Sequence, residues 1–134
     1  MDYLPADKQP ALRLVPYPSD TNTAGDIFGG WIMSHVDIAG SVVACQRAQG
    51  RVVTVAVNSF HFKKPVFVGD LVSFYAQVKQ VGNTSLTVDV EVFAQRGVKD
   101  MDLFGECVKV TEARLTYVAI DIHRNKRVVP PESS

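Results

Sequence analysis

The chain has 134 residues, 46% of them hydrophobic and 21% charged, which suits one domain with a sizeable core and leaves no room for a second. Lys plus Arg and Asp plus Glu both number 14, so the net charge is zero and there is no global field to draw in nucleic acid or a membrane surface; any anion site has to be local. No apolar run approaches the roughly 18 residues of a membrane span, and residues 1–10 lack the apolar stretch of a signal peptide, so the expected location is the cytoplasm and neither membrane nor nucleic acid is an expected partner.

A single domain over residues 1–134 is expected, with Pro- and Ser-containing ends at 1–10 and 130–134 that should fray. Weak alternation around Leu12 and Leu14 predicts a short strand within Ala11–Tyr17. Pro16, Pro18, Ser19, Asp20, Asn22 and Gly25 then make a loop dense in turn formers, closed by Gly29-Gly30. From Trp31 to Gln49 there is no proline and one glycine, which predicts a helix with Gly50 as its C-cap. Trp31, Ile32, Met33, Val36, Ile38, Ala39, Val42, Val43, Ala44, Cys45 and Ala48 cover nearly its whole circumference, the pattern of a buried helix.

After Gly50 the period switches to two. Val52–Phe62, Leu71–Val81, Thr84–Ala94 and Cys107–Ile120 read as long strands, rich in β-branched and aromatic residues. Gly82-Asn83 supplies a tight hairpin between the second and third of these. The inward phase slips near Thr111-Glu112, which predicts a bulge, and His123–Val128 is a polar tail with room for a last short strand. One all-round apolar helix followed by antiparallel strands implies an α+β domain, with a curved antiparallel sheet wrapped around a long central helix.

Asp37 is the sharpest chemical signal. A carboxylate in mid-helix between Val36 and Ile38 costs several kcal/mol if it is left desolvated and unpaired. Two readings stay open: a structural Asp bonded to a backbone group or an Arg, and a reactive carboxylate. Gly29-Gly30 is either a plain turn or a close-approach site, where unpaired N–H groups at the helix start polarise a ligand carbonyl. Gly30 and Asp37 are seven residues apart, about 10 Å along a helix axis, which makes it hard for one reacting carbon to touch both within one straight helix. With Gly29 from one subunit and Asp37 from another it becomes easy, and the expected site straddles a dimer interface.

Other chemistries lack support. There is no G-x-S-x-G elbow and no phosphate loop, and His35, His61 and His123 share no metal-ligand spacing, so neither a metal nor a redox cofactor is expected. His35 lies about 200° around the helix from Asp37 and reads as a packed or interface residue. Cys45 and Cys107 are expected as two free, packed thiols. Lys63-Lys64 and the group Arg124, Lys126 and Arg127 are either solvated strand ends or a clamp for a phosphate-bearing substrate.

The order Pro18-Ser19-Asp20-Thr21-Asn22, Gly25-Asp26-Ile27-Phe28-Gly29-Gly30-Trp31-Ile32-Met33 and Val36-Asp37-Ile38-Ala39-Gly40 closely resembles the signature of the YciA-like acyl-CoA thioesterases, a hot-dog-fold family. Arg51–Val57, Phe62-Lys63-Lys64-Pro65-Val66 and Val68-Gly69-Asp70 continue the pattern, so that it spans about Leu12 to Ile120. The resemblance implies hydrolysis of acyl-CoA to a carboxylic acid and free coenzyme A, without a cofactor. Asp37 would be the general base or nucleophile, and Gly29, with Gly30 beside it, the backbone donor to the thioester oxygen. Asn22 would orient the carbonyl or the water, and Thr54 would assist the water. The basic clusters would face the phosphates of coenzyme A, and the assembly would be a homo-oligomer built on dimers, as a trimer of dimers. Its rivals are a hot-dog hydratase, which wants a paired Asp and His, and a non-catalytic acyl-CoA binder, which has no reason to tolerate a buried carboxylate.

Overall fold

The structure, a computed structural model, describes residues 2–97 and 105–132. It contains β1 (Leu12–Leu14), α1 (Gly29–Ala48), β2 (Val52–Phe62), β3 (Leu71–Val81), β4 (Ser85–Gln95) and β5 (Cys107–Ala119). The strands form one five-stranded sheet of order β1-β3-β4-β5-β2, antiparallel at every pairing. The sheet does not close, so β1 and β2 are its edges, and α1 packs against β2, β3, β4 and β5. This is the α+β arrangement that the change of period predicts, and two of the four long strands begin and end at the expected residues. No helix among the described residues is long and apolar enough to cross a membrane.

The helix departs from expectation at both ends. It begins at Gly29, because the Phe28 carbonyl already accepts the N–H groups of Trp31 and Ile32. It stops at Gln49, which takes the left-handed conformation (φ 53°, ψ 44°) in place of the expected Gly50 cap and donates to the carbonyls of Cys45 and Gln46. Gly50 makes room for another group: a Cβ there would stand 2.7 Å from the Arg127 guanidinium. That guanidinium donates to the carbonyls of Ala48, Ile120 and Arg51, tying the end of α1 to both flanking chain segments.

Ile32, Val36, Ala39, Gly40, Ala44 and Ala48 turn toward the sheet, where Phe74, Val88, Val90, Val92, Leu115 and Tyr117 are almost completely buried. Burying each large side chain of this kind contributes about 1.5–3 kcal/mol. The opposite side of α1 is open within one chain, where Ile38 is 48% exposed and Cys45 is exposed as well, and Met33 near the start of the helix is 41% exposed. An all-round apolar helix is thus only half covered by its own sheet, and Cys45 is not the packed core thiol expected. Cys107 is half-buried, and that burial pushes its thiol up from the ordinary value.

The bulge in β5 falls at Val110, just before the expected place. Val92 faces Thr111 and Phe93 faces Lys109, so Val110 is left over and successive residues Val110 and Thr111 are both buried. Beyond β5 the tail makes one bridge, Ile120 with Lys126, rather than a strand. Parts of both end segments are hydrogen-bonded to the fold. Asp2 bonds to Cys107 and Lys109 on β5 and Ala11 to Phe74 on β3, so the segment between them crosses the sheet face away from α1. At the other end Val129 is buried, its N–H on the Asn83 carbonyl, and Pro130 accepts from Arg47.

A second anchoring point joins the start of β3 to the end of β4. Asp70, 2% exposed, accepts from Arg96 at 2.7 Å and from the N–H groups of Phe67 and Gly97 at 2.8 and 3.2 Å. Arg96 also lies over the Phe67 ring, 4.7 Å from its centroid.

Candidate active site

Asp37 sits in the third turn of α1, half-buried, on the side that meets the edge strand β2 and its neighbour β5. Its partners are two neutral hydroxyls. The Thr54 hydroxyl donates to Oδ1 at 2.6 Å, and the Tyr117 phenol lies 3.0 Å from the same oxygen and 2.9 Å from the Asp37 carbonyl. No cation pairs with the carboxylate and Oδ2 has no hydrogen-bond partner among the described residues. Of the two readings left open above, a structural Asp neutralised by an Arg is therefore not what the fold builds.

Sheet register explains how the two hydroxyls meet. Thr54 and Tyr117 are directly paired across β2 and β5, so their side chains leave the sheet on one face, toward α1. The next pairing is Ala56 with Thr116, which makes Val55 an extra residue in β2 and places a bulge immediately beside Thr54. Tyr117 is fully buried, and burial first, then the Asp37 charge, hold its phenol far above the ordinary value, so it keeps its proton and remains a donor. Gly40, one turn after Asp37, is what admits the phenol: a Cβ there would stand 2.3 Å from the Tyr117 oxygen.

The remaining expected residues are spread around this centre. Gly29 and Gly30 open α1 with no side-chain cap, and their N–H groups have no acceptor among the described residues. Gly29 also lies beneath the Phe62 ring, where a Cβ would come within 3.2 Å of Cζ, so packing alone already favours a glycine there. Asn22 spends its side-chain oxygen on the N–H groups of Ala24 and Asp26, which rigidifies the loop before α1 and leaves the amide NH2 as the group free to donate outward. His35 is packed as expected, Nδ1 on the Trp31 carbonyl at 2.7 Å and the ring 4.4 Å from the Trp31 ring.

The two basic groups are separated. Lys63 and Lys64 follow the Phe62 end of β2, which pairs with Thr111, whereas Arg124, Lys126 and Arg127 follow the Ala119 end of β5, which pairs with Val52. Eleven strand residues put roughly 35 Å between those ends, so within one chain the two groups do not form one clamp. Lys63 faces Glu112 at 3.5 Å, Arg124 holds a left-handed turn position (φ 68°), Lys126 is exposed, and Arg127 is engaged with the three carbonyls described above.

Tyr117 and Gly40 are the site residues that sequence reasoning missed. One signal was present: a glycine in a helix interior costs about 1 kcal/mol against alanine, and one placed a turn from an isolated Asp marks a close approach.

A long helix laid on an antiparallel sheet, with a carboxylate in mid-helix aimed at the sheet edge, defines a hot-dog-fold protein with a carboxylate site. The pattern of the thioesterase superfamily matches residues 24–100. The chain is 46% identical over 123 residues to an uncharacterized acyl-CoA thioester hydrolase of Haemophilus influenzae, covering 92% of this chain and 79% of that one. It is 45% identical over 121 residues to the acyl-CoA thioester hydrolase YciA of Escherichia coli, covering 90% of each. A hexameric hot-dog-fold thioesterase of Campylobacter jejuni superposes with a TM-score of 0.84 at 46% identity, again with 90% of both chains covered. The chain belongs to the thioesterase superfamily, among its YciA-like members.

Proposed function

We propose that this chain is an acyl-CoA thioesterase that hydrolyses its substrate to a carboxylic acid and free coenzyme A, with Asp37 as the reacting carboxylate. The observation that carries this reading is a half-buried Asp in mid-helix that has hydroxyl donors and no cation among the described residues, in a chain of the thioesterase superfamily. As a general base, Asp37 takes a proton from water while the water oxygen adds to the thioester carbon; the C–S bond then breaks and the coenzyme A sulfur leaves with a proton. As a nucleophile its oxygen bonds the thioester carbon, the C–S bond breaks and the coenzyme A thiolate leaves, and water then hydrolyses the mixed anhydride to the carboxylic acid and the free Asp37 carboxylate. In either route the Gly29 N–H, with Gly30 beside it, meets the carbonyl oxygen as negative charge develops, the Asn22 amide orients carbonyl or water, and Thr54 supports the carboxylate side. Lys63 and Lys64, with Arg124 and Lys126, supply cations for the phosphates of the substrate, and no metal or redox group is needed for these steps. A hydratase is disfavoured, since His35 is turned to the Trp31 carbonyl and no histidine bonds Asp37 among the described residues.

The site belongs to a homo-oligomer whose smallest active unit is a dimer, with a trimer of dimers as the full assembly. Gly29 and Asp37 lie on one helix, eight residues or about 12 Å apart, so one chain does not bring both to one carbon. β2 is an open edge carrying Val55 and Val57, 55% and 47% exposed, next to Thr54, and α1 leaves Met33 and Ile38 uncovered; a second copy would cover these surfaces. The relative from C. jejuni is itself hexameric.

The test is thiol release from acyl-CoAs by the wild type and Asp37→Asn. The variant is expected to fold and to lose activity, and wild-type turnover in it would end this reading. Mixing Asp37→Ala with Asn22→Ala protein should restore part of the activity after subunit exchange, because one site of each mixed dimer then carries neither defect. Mixtures that never exceed the sum of the parents, with exchange demonstrated, would place the site within one chain.

A further inference from the structure

The carboxylate of Asp37 is held asymmetrically. Oδ1 faces the Thr54 hydroxyl at 2.6 Å and the Tyr117 phenol at 3.0 Å, while Oδ2 meets no protein group among the described residues. The phenol has one proton and two acceptors within reach, the Asp37 carbonyl and Oδ1. A carboxylate oxygen is a stronger acceptor than a peptide carbonyl, so the phenol donates its hydrogen bond to Oδ1. Tyr117 is otherwise walled in: it is fully buried, fixed by the paired register of β2 and β5, and its hydroxyl fills the space that Gly40 leaves by lacking a side chain. A core position asking only for apolar volume would be filled as well by Phe, and the helix would be steadier with Ala in place of Gly40. Both choices are explained together by a need to bring a hydroxyl to this carboxylate.

We infer that Tyr117, admitted by Gly40, is a positioning residue of the reaction: with Thr54 it pins Oδ1 and thereby assigns Oδ2 as the oxygen that acts on water or on the thioester carbon. The inference rests on Asp37 being the reacting group. Two donors fix both the rotation of the carboxylate about its last bond and the direction in which the free oxygen looks, and a near-attack geometry demands that control. Because Tyr117 lies under Asp37 and not in the substrate's path, its loss falls on kcat and leaves KM nearly unchanged.

The experiment compares wild type, Tyr117→Phe, Asp37→Asn and the double variant on one acyl-CoA, with thermal unfolding and oligomeric state recorded for each. Tyr117→Phe removes one oxygen, and kcat is expected to fall about tenfold to a hundredfold at unchanged KM, the range for a lost hydrogen bond to a charged group. In the Asp37→Asn background the same change should cost little of the residual rate, since the group to be positioned is already gone. A fall of equal size in both backgrounds would make Tyr117 a packing residue and overturn the inference. If Asp37→Asn is inactive while Tyr117→Phe keeps wild-type kcat, the positioning role fails and the proposed activity stands; if Asp37→Asn keeps wild-type turnover, both fall. Gly40→Ala keeps the phenol and displaces its oxygen, so it covers the case in which Tyr117→Phe does not fold. It should lower kcat in the same way, and wild-type turnover in a folded Gly40→Ala protein would also overturn the inference.

Discussion

Two aspartates of this chain sit in the same sheet-and-helix frame and are treated in opposite ways. Asp70 is 2% exposed and saturated: a guanidinium and a backbone N–H on Oδ2, another N–H on Oδ1. Asp37 is half-buried and under-supplied: two hydroxyls on one oxygen and, among the described residues, nothing on the other and no cation. Full pairing makes a carboxylate inert and turns it into a tie between chain segments, whereas partial pairing keeps a lone pair available at a fixed orientation.

The largest effect should come from exchanging these roles by mutation. Asp37→Asn is expected to lower kcat by about 10²–10⁴ with little change in unfolding temperature, the scale of a positioned general base. Asp70→Asn should do the reverse, costing about 2–4 kcal/mol because Arg96 loses its partner, while the folded fraction keeps its turnover. Denaturant melts paired with single-turnover assays would read both, and an Asp70→Asn enzyme that is stable but slow would break the comparison.

A smaller effect extends the contrast to the cations. Arg127 is saturated by backbone carbonyls, whereas Lys64 is exposed and has no side-chain partner among the described residues. Arg127→Ala should lower stability by about 1–3 kcal/mol. Lys64→Ala should leave stability alone and raise KM modestly for a full acyl-CoA and not for a thioester lacking the nucleotide. Unchanged KM for both substrates would remove Lys64 from the site. The smallest effect concerns Thr111, buried at the β5 bulge with a hydroxyl that meets no partner among the described residues. Thr111→Val removes that unpaired group at constant shape and should hold or raise stability by up to about 1 kcal/mol in the same melts.

Much of this was legible in the sequence, for local reasons. β-Branched and aromatic content bounded β2, and alternation bounded β3, to the residue, and an Asp between Val36 and Ile38 advertised itself because neighbours one position away set the contrast. The partners of Asp37 were not legible, because Tyr117 lies 80 residues further on and its alternation says only that it points inward. Gly40 looked like an ordinary helix glycine until the phenol was placed against it. That the two basic groups lie at opposite ends of the β2 and β5 pair was not legible either: charge is visible in a sequence, while the two ends of a strand pair are not. Arg127 in particular was read as a phosphate ligand, and the carbonyls it binds are supplied by residues from Ala48 to Ile120.

The sheet order also fixes the sequence in which the molecule can be finished on the ribosome. β2 leaves the tunnel directly behind α1, yet its one neighbour within the chain is β5, whose first paired residue, Thr111, lies 49 positions after Phe62. Until then β3 and β4 can zip into their hairpin, but β2 has both edges bare and Asp37 has only Thr54 within the reach of short loops. Pairings of such long sequence separation are slow to close. A chain stalled or cleaved before residue 107 therefore carries the carboxylate, the glycines and the hairpin without the Tyr117 donor, and exposes a Val-rich strand to whatever edge it meets first. Completion of the sheet therefore waits on β5, the last strand of the chain.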